Sequence, residues 1–102
     1  MEYSVELQDR ALDDLFDIFV YVAEAAGIET ALAYRARIEQ ACARLQFFPE
    51  RGTPRDDYKP GWRSVTFERR ALILYRVLED RVLIERVLPR GRDLSGLEIE
   101  PD

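Results

Sequence analysis

The spacing of apolar residues changes along this 102-residue chain, and that change restricts its fold more than any other feature. After a short alternating segment at residues 3–7, apolar residues recur every three or four positions up to about residue 47, as on one face of a helix. From Trp62 onward they alternate with polar residues, as in half-buried strands. A pair of helices separated in sequence from a group of strands predicts an α+β fold.

The helical part predicts two helices, over residues 10–26 and 29–47, with Asp9 as the N-cap of the first and Gly27 as its terminator. Because the connection is only a few residues long, the helices should pack antiparallel as a hairpin. The expected solvent side of the first helix carries Asp13, Asp14, Asp17 and Glu24. The expected buried faces are Leu12, Leu15, Phe16, Phe19, Val22 and Ala23 in the first helix and Ala31, Tyr34, Ile38, Ala41, Cys42 and Leu45 in the second.

The strand-forming part predicts an antiparallel meander of three strands that begins at Trp62 and continues over residues 71–78 and 82–88. The nearly continuous apolar run at 71–78 indicates a central strand. Residues 49–61 hold three prolines and two glycines, which predicts a long loop. The expected order is β-α-α-β-β-β, with the helical hairpin packed on a small, mainly antiparallel sheet and the first strand beside the meander.

Composition excludes several kinds of site. The chain has no histidine and a single cysteine, Cys42, which excludes a Ser-His-Asp triad, a Cys-His pair, an internal disulfide and a four-cysteine zinc site. No apolar run approaches the roughly 20 residues that span a bilayer, and the N-terminus lacks the pattern of a secretory signal. We therefore expect one cytoplasmic domain over residues 1–102, without metal, cofactor or membrane contact, and with Cys42 as a buried packing residue.

The basic residues of this acidic chain are concentrated in its second half. The net charge is −5, yet residues 51–93 carry eleven bases and seven acids, nearly all the bases being arginine. This excess reflects either a coding bias towards arginine or a basic surface for an acidic partner or a nucleic-acid complex. A pI near 4.8 argues against non-specific binding of free DNA. The acidic segment 94–102 is expected to be loose.

Six short motifs, together with the order of elements, resemble the RelE/ParE superfamily of bacterial toxins over residues 3 to about 95. They are Ala11-Leu12-Asp13-Asp14-Leu15, Pro49-x-x-Gly52-x-Pro54-Arg55, Gly61-Trp62-Arg63-Ser64, Leu74-Tyr75-Arg76-Val77, Glu85-Arg86-Val87-Leu88 and Arg92-Asp93-Leu94. The resemblance implies the toxin of a type II toxin–antitoxin pair. It also implies silencing by a cognate antitoxin protein, ParD-like or similar, and no sequence-specific binding of nucleic acid by the toxin alone.

The two branches of this superfamily imply different activities. RelE-like toxins cleave mRNA on the ribosome, which requires groups that move protons and cations that stabilise charge on the phosphate. Of their basic set, Arg63 matches the second-strand residue, but the third-strand arginine position holds Leu72, and no tyrosine or histidine follows Pro89. ParE-like toxins, which often have histidine where this chain has Pro89, are thought to inhibit DNA gyrase by binding it. The ParE-like interpretation is favoured; an mRNA endonuclease and an inactive toxin kept as a regulatory binding module are the alternatives.

The candidate site is a set of contact residues without catalytic or metal-binding members. Arg63 is expected on the open side of the sheet, and Arg76 and Arg86 on one shared face unless they pair with Glu68 or Glu85. Trp62 is expected either as an exposed anchor or in the core. The candidate contacts to a target or partner are Trp62, Arg63, Arg76, Arg86, Arg90 and Arg92.

Overall fold

Two helices pack on a five-stranded sheet in the structure, a computed structural model that describes residues 3–89. The helices are α1 (Asp9–Ala26) and α2 (Ile28–Ala43); the strands are β1 (Ser4–Leu7), β2 (Thr53–Pro54), β3 (Trp62–Phe67), β4 (Ala71–Leu78) and β5 (Arg81–Pro89). Single 3-10 turns occupy Arg44–Gln46 and Pro49–Arg51. The predicted α+β fold is confirmed, and the predicted loop at 49–61 also contains one of these turns and β2.

The sheet has the order β1-β5-β4-β3-β2, so β5, β4 and β3 lie in its interior. The meander β3-β4-β5 is antiparallel, as predicted, and β1 joins beside β5 in parallel, with Ser4 opposite Arg81. A register shift, or β-bulge, interrupts the β4–β5 ladder between Leu74 and Tyr75. Such a bulge changes the direction in which neighbouring side chains point.

Helix α1 buries a different stripe from the one expected. Ala11, Leu15 and Ile18 are buried, whereas Leu12 is 44% exposed and Phe16 is 61% exposed. The periodicity is helical, but α1 has apolar residues on two sides. Relative to the expected orientation, the helix is rotated about its axis so that the smaller Ala11 faces the sheet. The predicted buried face of α1 was therefore wrong, because the true one lies part of a helical turn around the axis.

The ends of the helices also differ from the predicted ones. Asp9 is the first residue of α1 rather than its N-cap; Gln8 holds the capping position without a side-chain hydrogen bond. Gly27, at φ 99°, separates the two helices in a conformation that favours glycine, as expected. Helix α2 ends at Ala43, and the chain tightens into a 3-10 turn where the helix was predicted to continue.

Two apolar clusters stabilise the sheet, one on each face. The helix-side core includes Leu15, Ile38, Ile73 and Ile84, and it also contains Cys42, which confirms the packing role predicted for it. Burial raises the pKa of the Cys42 thiol to about 12. The face turned away from the helices, here called the open face, carries a smaller cluster of Leu72, Leu74 and Leu88. Within residues 3–89, neither helix is long and apolar enough to cross a membrane.

The turn between β3 and β4 is strained. Glu68 and Arg69 both lie in the left-handed region, at φ 50° and 58°, a combination that hairpin turns usually assign to asparagine and glycine. The Glu68 carboxylate accepts two hydrogen bonds from Arg37 of α2, at 2.9 and 3.3 Å. This exposed pair connects the hairpin turn to the helices, and it lowers the pKa of Glu68.

Candidate functional site

Arg86 of β5 is held by Asp14 of α1. The Arg86 Nε donates to Asp14 Oδ2 at 2.8 Å, and Nη2 donates to Oδ1 at 2.9 Å. The Val87 amide donates to the same carboxylate at 2.9 Å, and each charged side chain is only 13% exposed. The hydrogen bond to Asp14 raises the pKa of Arg86. Asp14, expected on the solvent side of its helix, instead joins α1 to the sheet.

Arg76 and Arg86 do not share a face, so that expectation was wrong. Arg76 follows the alternation of β4 onto the open face, where its Nε donates to Glu85 Oε2 at 2.8 Å. Arg86 lies on the helix side instead, two residues after Ile84 of the helix-side core, and there it binds Asp14 of α1. The Arg76–Glu85 pair is the intramolecular ion pair named as the alternative to a partner contact.

Arg63 lies on the helix side of the sheet rather than on the expected open side. It lies on the same side of β3 as Val65 and Phe67, which pack in the helix-side core. Its Nη1 donates to the carbonyl oxygens of Glu50 at 3.0 Å and Gly52 at 2.9 Å. Arg63 therefore binds the segment before β2 to the start of β3.

Trp62 is half-buried on the open face. Its indole packs against the cluster of Leu72, Leu74 and Leu88, and the Lys59 ammonium lies 5.2 Å from the ring centroid. Of its two expected roles, the structure favours packing. The indole covers one side of a small apolar cluster that the helices do not reach.

Residues 47–52, here called the corner, form a fixed turn that the sequence analysis missed. The buried Tyr75 hydroxyl donates to the Pro49 carbonyl at 2.6 Å and accepts from the Gly52 amide at 3.0 Å. A Cβ on Gly52 would collide with that hydroxyl and lie 2.8 Å from the Ser64 carbonyl. Burial raises the pKa of Tyr75. The Pro49-x-x-Gly52 motif was the available signal, since it marks a backbone that allows close approach.

A groove between the helical hairpin and the end of β5, here called the hairpin groove, is the second feature that sequence reasoning missed. Its volume is about 550 Å³. Its apolar and aromatic lining includes Ile18, Tyr21, Val22, Tyr34, Val87 and Pro89. Asp17 lies on its rim, as do Arg37 and Arg70. An apolar floor with charges of both signs at its edge suits an amphipathic protein segment rather than a uniformly charged ligand.

Two of the predicted contacts, Arg90 and Arg92, and the acidic segment 94–102 lie outside the described residues. Their contact roles stay predictions. Among residues 3–89, no group of three or more acidic or cysteine side chains is placed to hold a metal ion.

Comparisons with known proteins agree with this geometry. The family model described as "ParE toxin of type II toxin-antitoxin system, parDE" matches residues 5–94. The chain is 37% identical over 83 residues to Toxin ParE3 of Caulobacter vibrioides, which covers 81% of this chain and 82% of that one.

Two solved structures have the same fold. A chain from the chromosomal ParDE system of P. aeruginosa superposes with a TM-score of 0.77 at 27% identity, covering 86% of this chain and 96% of that chain. A chain of the RelBE2 toxin–antitoxin complex of Mycobacterium tuberculosis gives a TM-score of 0.63 at 25% identity, covering 88% and 100%.

Proposed function

The chain belongs to the ParE toxin family of type II toxin–antitoxin systems, and on that premise we propose that it inhibits DNA gyrase by binding it and is neutralised by a cognate ParD-like antitoxin. Both partners are proteins, and the toxin itself carries out no chemistry in this proposal. Because gyrase acts on the chromosome, the proposal also places the toxin in the cytoplasm.

The hydrogen bonds of Arg63 favour gyrase inhibition over mRNA cleavage. Arg63 is the one residue that matches the basic set of RelE-like endonucleases, and it donates to the Glu50 and Gly52 carbonyls. The third-strand position of that set holds Leu72, which is buried in the open-face cluster. A cleavage site needs charged donors directed at the phosphate in the transition state. A side chain that holds the backbone and a buried leucine do not provide them.

The pairing of the arginines favours a protein partner over nucleic acid. Arg86 binds Asp14, Arg76 binds Glu85, and Arg37 binds Glu68. A nucleic-acid interface instead concentrates unpaired cations along one surface, where they can displace the counterions of the phosphates. Local neutralisation by acids leaves a surface of mixed charge, which is typical of the rim of a protein–protein interface.

The hairpin groove is the proposed binding site for the antitoxin. Helical and extended segments of partner proteins commonly insert apolar side chains into grooves of this kind. Ile18, Val22 and Val87 provide an apolar floor, while Arg70 can pair with a carboxylate at the edge of such a segment. The antitoxin should therefore present apolar anchors flanked by acidic residues.

The experiment combines two assays on the same material. The chain is induced alone in bacteria, and plasmid supercoiling and mRNA integrity are measured in the same culture. Growth arrest with lost supercoiling and intact mRNA is the expected result, and co-expression of the protein encoded beside the gene should restore growth. Cleaved mRNA with normal supercoiling would establish the endonuclease alternative instead. Unimpaired growth with neither effect would favour the inactive binding module.

A further inference from the structure

The corner presents two neighbouring aromatic rings to solvent. Phe48 is 69% exposed, more than any other large apolar side chain among residues 3–89, and Phe47 is 49% exposed. The Arg51 guanidinium lies 5.9 Å from the centroid of the Phe48 ring. An open recess of about 510 Å³, lined in part by Tyr3 and Glu50, lies beside the rings. Exposed aromatic groups of this kind mark binding surfaces more often than packing defects.

Three side chains hold the backbone beneath these rings. Tyr75 binds it through the Pro49 carbonyl and the Gly52 amide, and Arg63 donates to two further carbonyl groups. Arg51 donates to the Phe48 carbonyl at 3.2 Å and to that of Arg44 at 3.4 Å. An exposed turn that merely connects two elements does not need so many side-chain bonds, two of them from a buried tyrosine.

A turn that is already ordered loses little conformational entropy when it binds. Immobilising a flexible loop at an interface costs conformational entropy, which reduces the affinity. The bonds from Tyr75, Arg63 and Arg51 meet the backbone part of that cost during folding. Rigid aromatic anchors surrounded by weaker contacts are the usual origin of binding energy at interfaces.

The corner lies away from the hairpin groove. The groove ends at Arg70, Leu88 and Pro89, beside the β3–β4 turn, whereas the corner is bound to Arg63 and Tyr75, towards the opposite end of β3. The hairpin groove is thus available to a segment that inserts into it. The corner is available to a partner with a pocket into which an aromatic ring can insert.

We propose that the corner is the surface through which the toxin binds its target, with Phe48 inserted into an apolar pocket of the gyrase protein. The Arg51 guanidinium beside the ring suits a pocket rimmed by carboxylates. This inference rests on the proposed function, because it names the part of the toxin that performs it. Neutralisation then requires the bound antitoxin either to extend over the corner or to obstruct the approach of gyrase.

The test compares Phe48→Ser with Phe16→Ser. Both phenylalanines are exposed, at 69% and 61%, but Phe16 lies on α1, outside the corner and outside the groove lining. Inhibition of purified gyrase is measured as the toxin concentration that halves supercoiling, and antitoxin affinity is measured by calorimetry. Phe48→Ser should raise the inhibitory concentration about 30-fold, the change expected for loss of a hot-spot residue. Its antitoxin affinity, and the gyrase inhibition by Phe16→Ser, should stay within about twofold of wild type.

A second variant, Tyr75→Phe, separates positioning from contact. It keeps the ring in the core and removes both hydrogen bonds to the corner, so it should weaken gyrase inhibition with Phe48 still present. Circular dichroism confirms that each variant is folded before it is assayed.

Three outcomes would overturn the inference. The first is a Phe48→Ser variant that inhibits gyrase as well as the wild type does. The second is a loss confined to antitoxin binding or to self-association, which would make the corner the antitoxin's or a second copy's surface. A wild-type chain that leaves gyrase unaffected would refute the proposed function itself, and this inference would fall with it.

Discussion

Replacing Asp14 with alanine tests whether one carboxylate attaches α1 to the sheet. The change leaves the Arg86 guanidinium, only 13% exposed, and the Val87 amide without their partner. Removing one member of a buried ion pair costs about 3–5 kcal/mol. Since small domains have about 5–15 kcal/mol of total stability, the variant should be only marginally folded. Urea unfolding followed by circular dichroism measures the loss as a fall in midpoint at constant slope.

Two further variants identify the source of the loss. Arg86→Met should cost less, about 2–3 kcal/mol, because Asp14 keeps its hydrogen bond from Val87. The double variant Asp14→Ala/Arg86→Met buries no unpaired charge and should cost less than the two single changes together, by about 2 kcal/mol or more. Single losses below about 1 kcal/mol, or losses that simply add, would refute the reasoning.

Three other changes test separate parts of the structure. Gly52→Ala should lower stability by about 1–3 kcal/mol, visible as a lower melting temperature, because its Cβ would press on the Tyr75 hydroxyl. Arg69→Gly should raise the free energy of unfolding by about 1 kcal/mol, seen as a higher urea midpoint, because it relieves a left-handed backbone; Arg70→Gly, the control, should not. Burial raises the Cys42 pKa from 9.0 to about 12, so its contribution to stability is complete below pH 9 and decreases as the pH rises towards 12. Unfolding measured over that range should show a slope up to about 1.4 kcal/mol per pH unit shallower in Cys42→Ala; equal slopes would contradict the burial argument.

The elements could be predicted because each has a clear local period. The run at 71–78 was long and apolar enough to indicate a central strand, and β4 is central in the sheet. Strand β2 could not be predicted, because two residues are too few to show a hydrophobic period. They form a strand only because they lie beside β3 and bond to it.

The buried stripe of α1 could not be predicted, because the helix offers apolar residues on two sides. Which side meets the sheet depends on the bond between Asp14 and Arg86, residues 72 positions apart in the chain. The same limit applied to Arg63. Its strand and alternation were predictable, but its bonds to the Glu50 and Gly52 carbonyls depend on how a proline-rich segment folds back.

The pairing of β1 with β5 also determines when the chain can fold during its synthesis. Val5 lies opposite Val82, so the first strand has no neighbour among the described strands until the last one has been made. Ribosomes add about 5–20 residues per second, which leaves β1 unpaired for seconds while the rest emerges. A polypeptide that stops before residue 81 lacks an interior strand and the arginine that anchors α1. Polypeptides that end before residue 81 therefore cannot complete the sheet that supports both the hairpin groove and the corner.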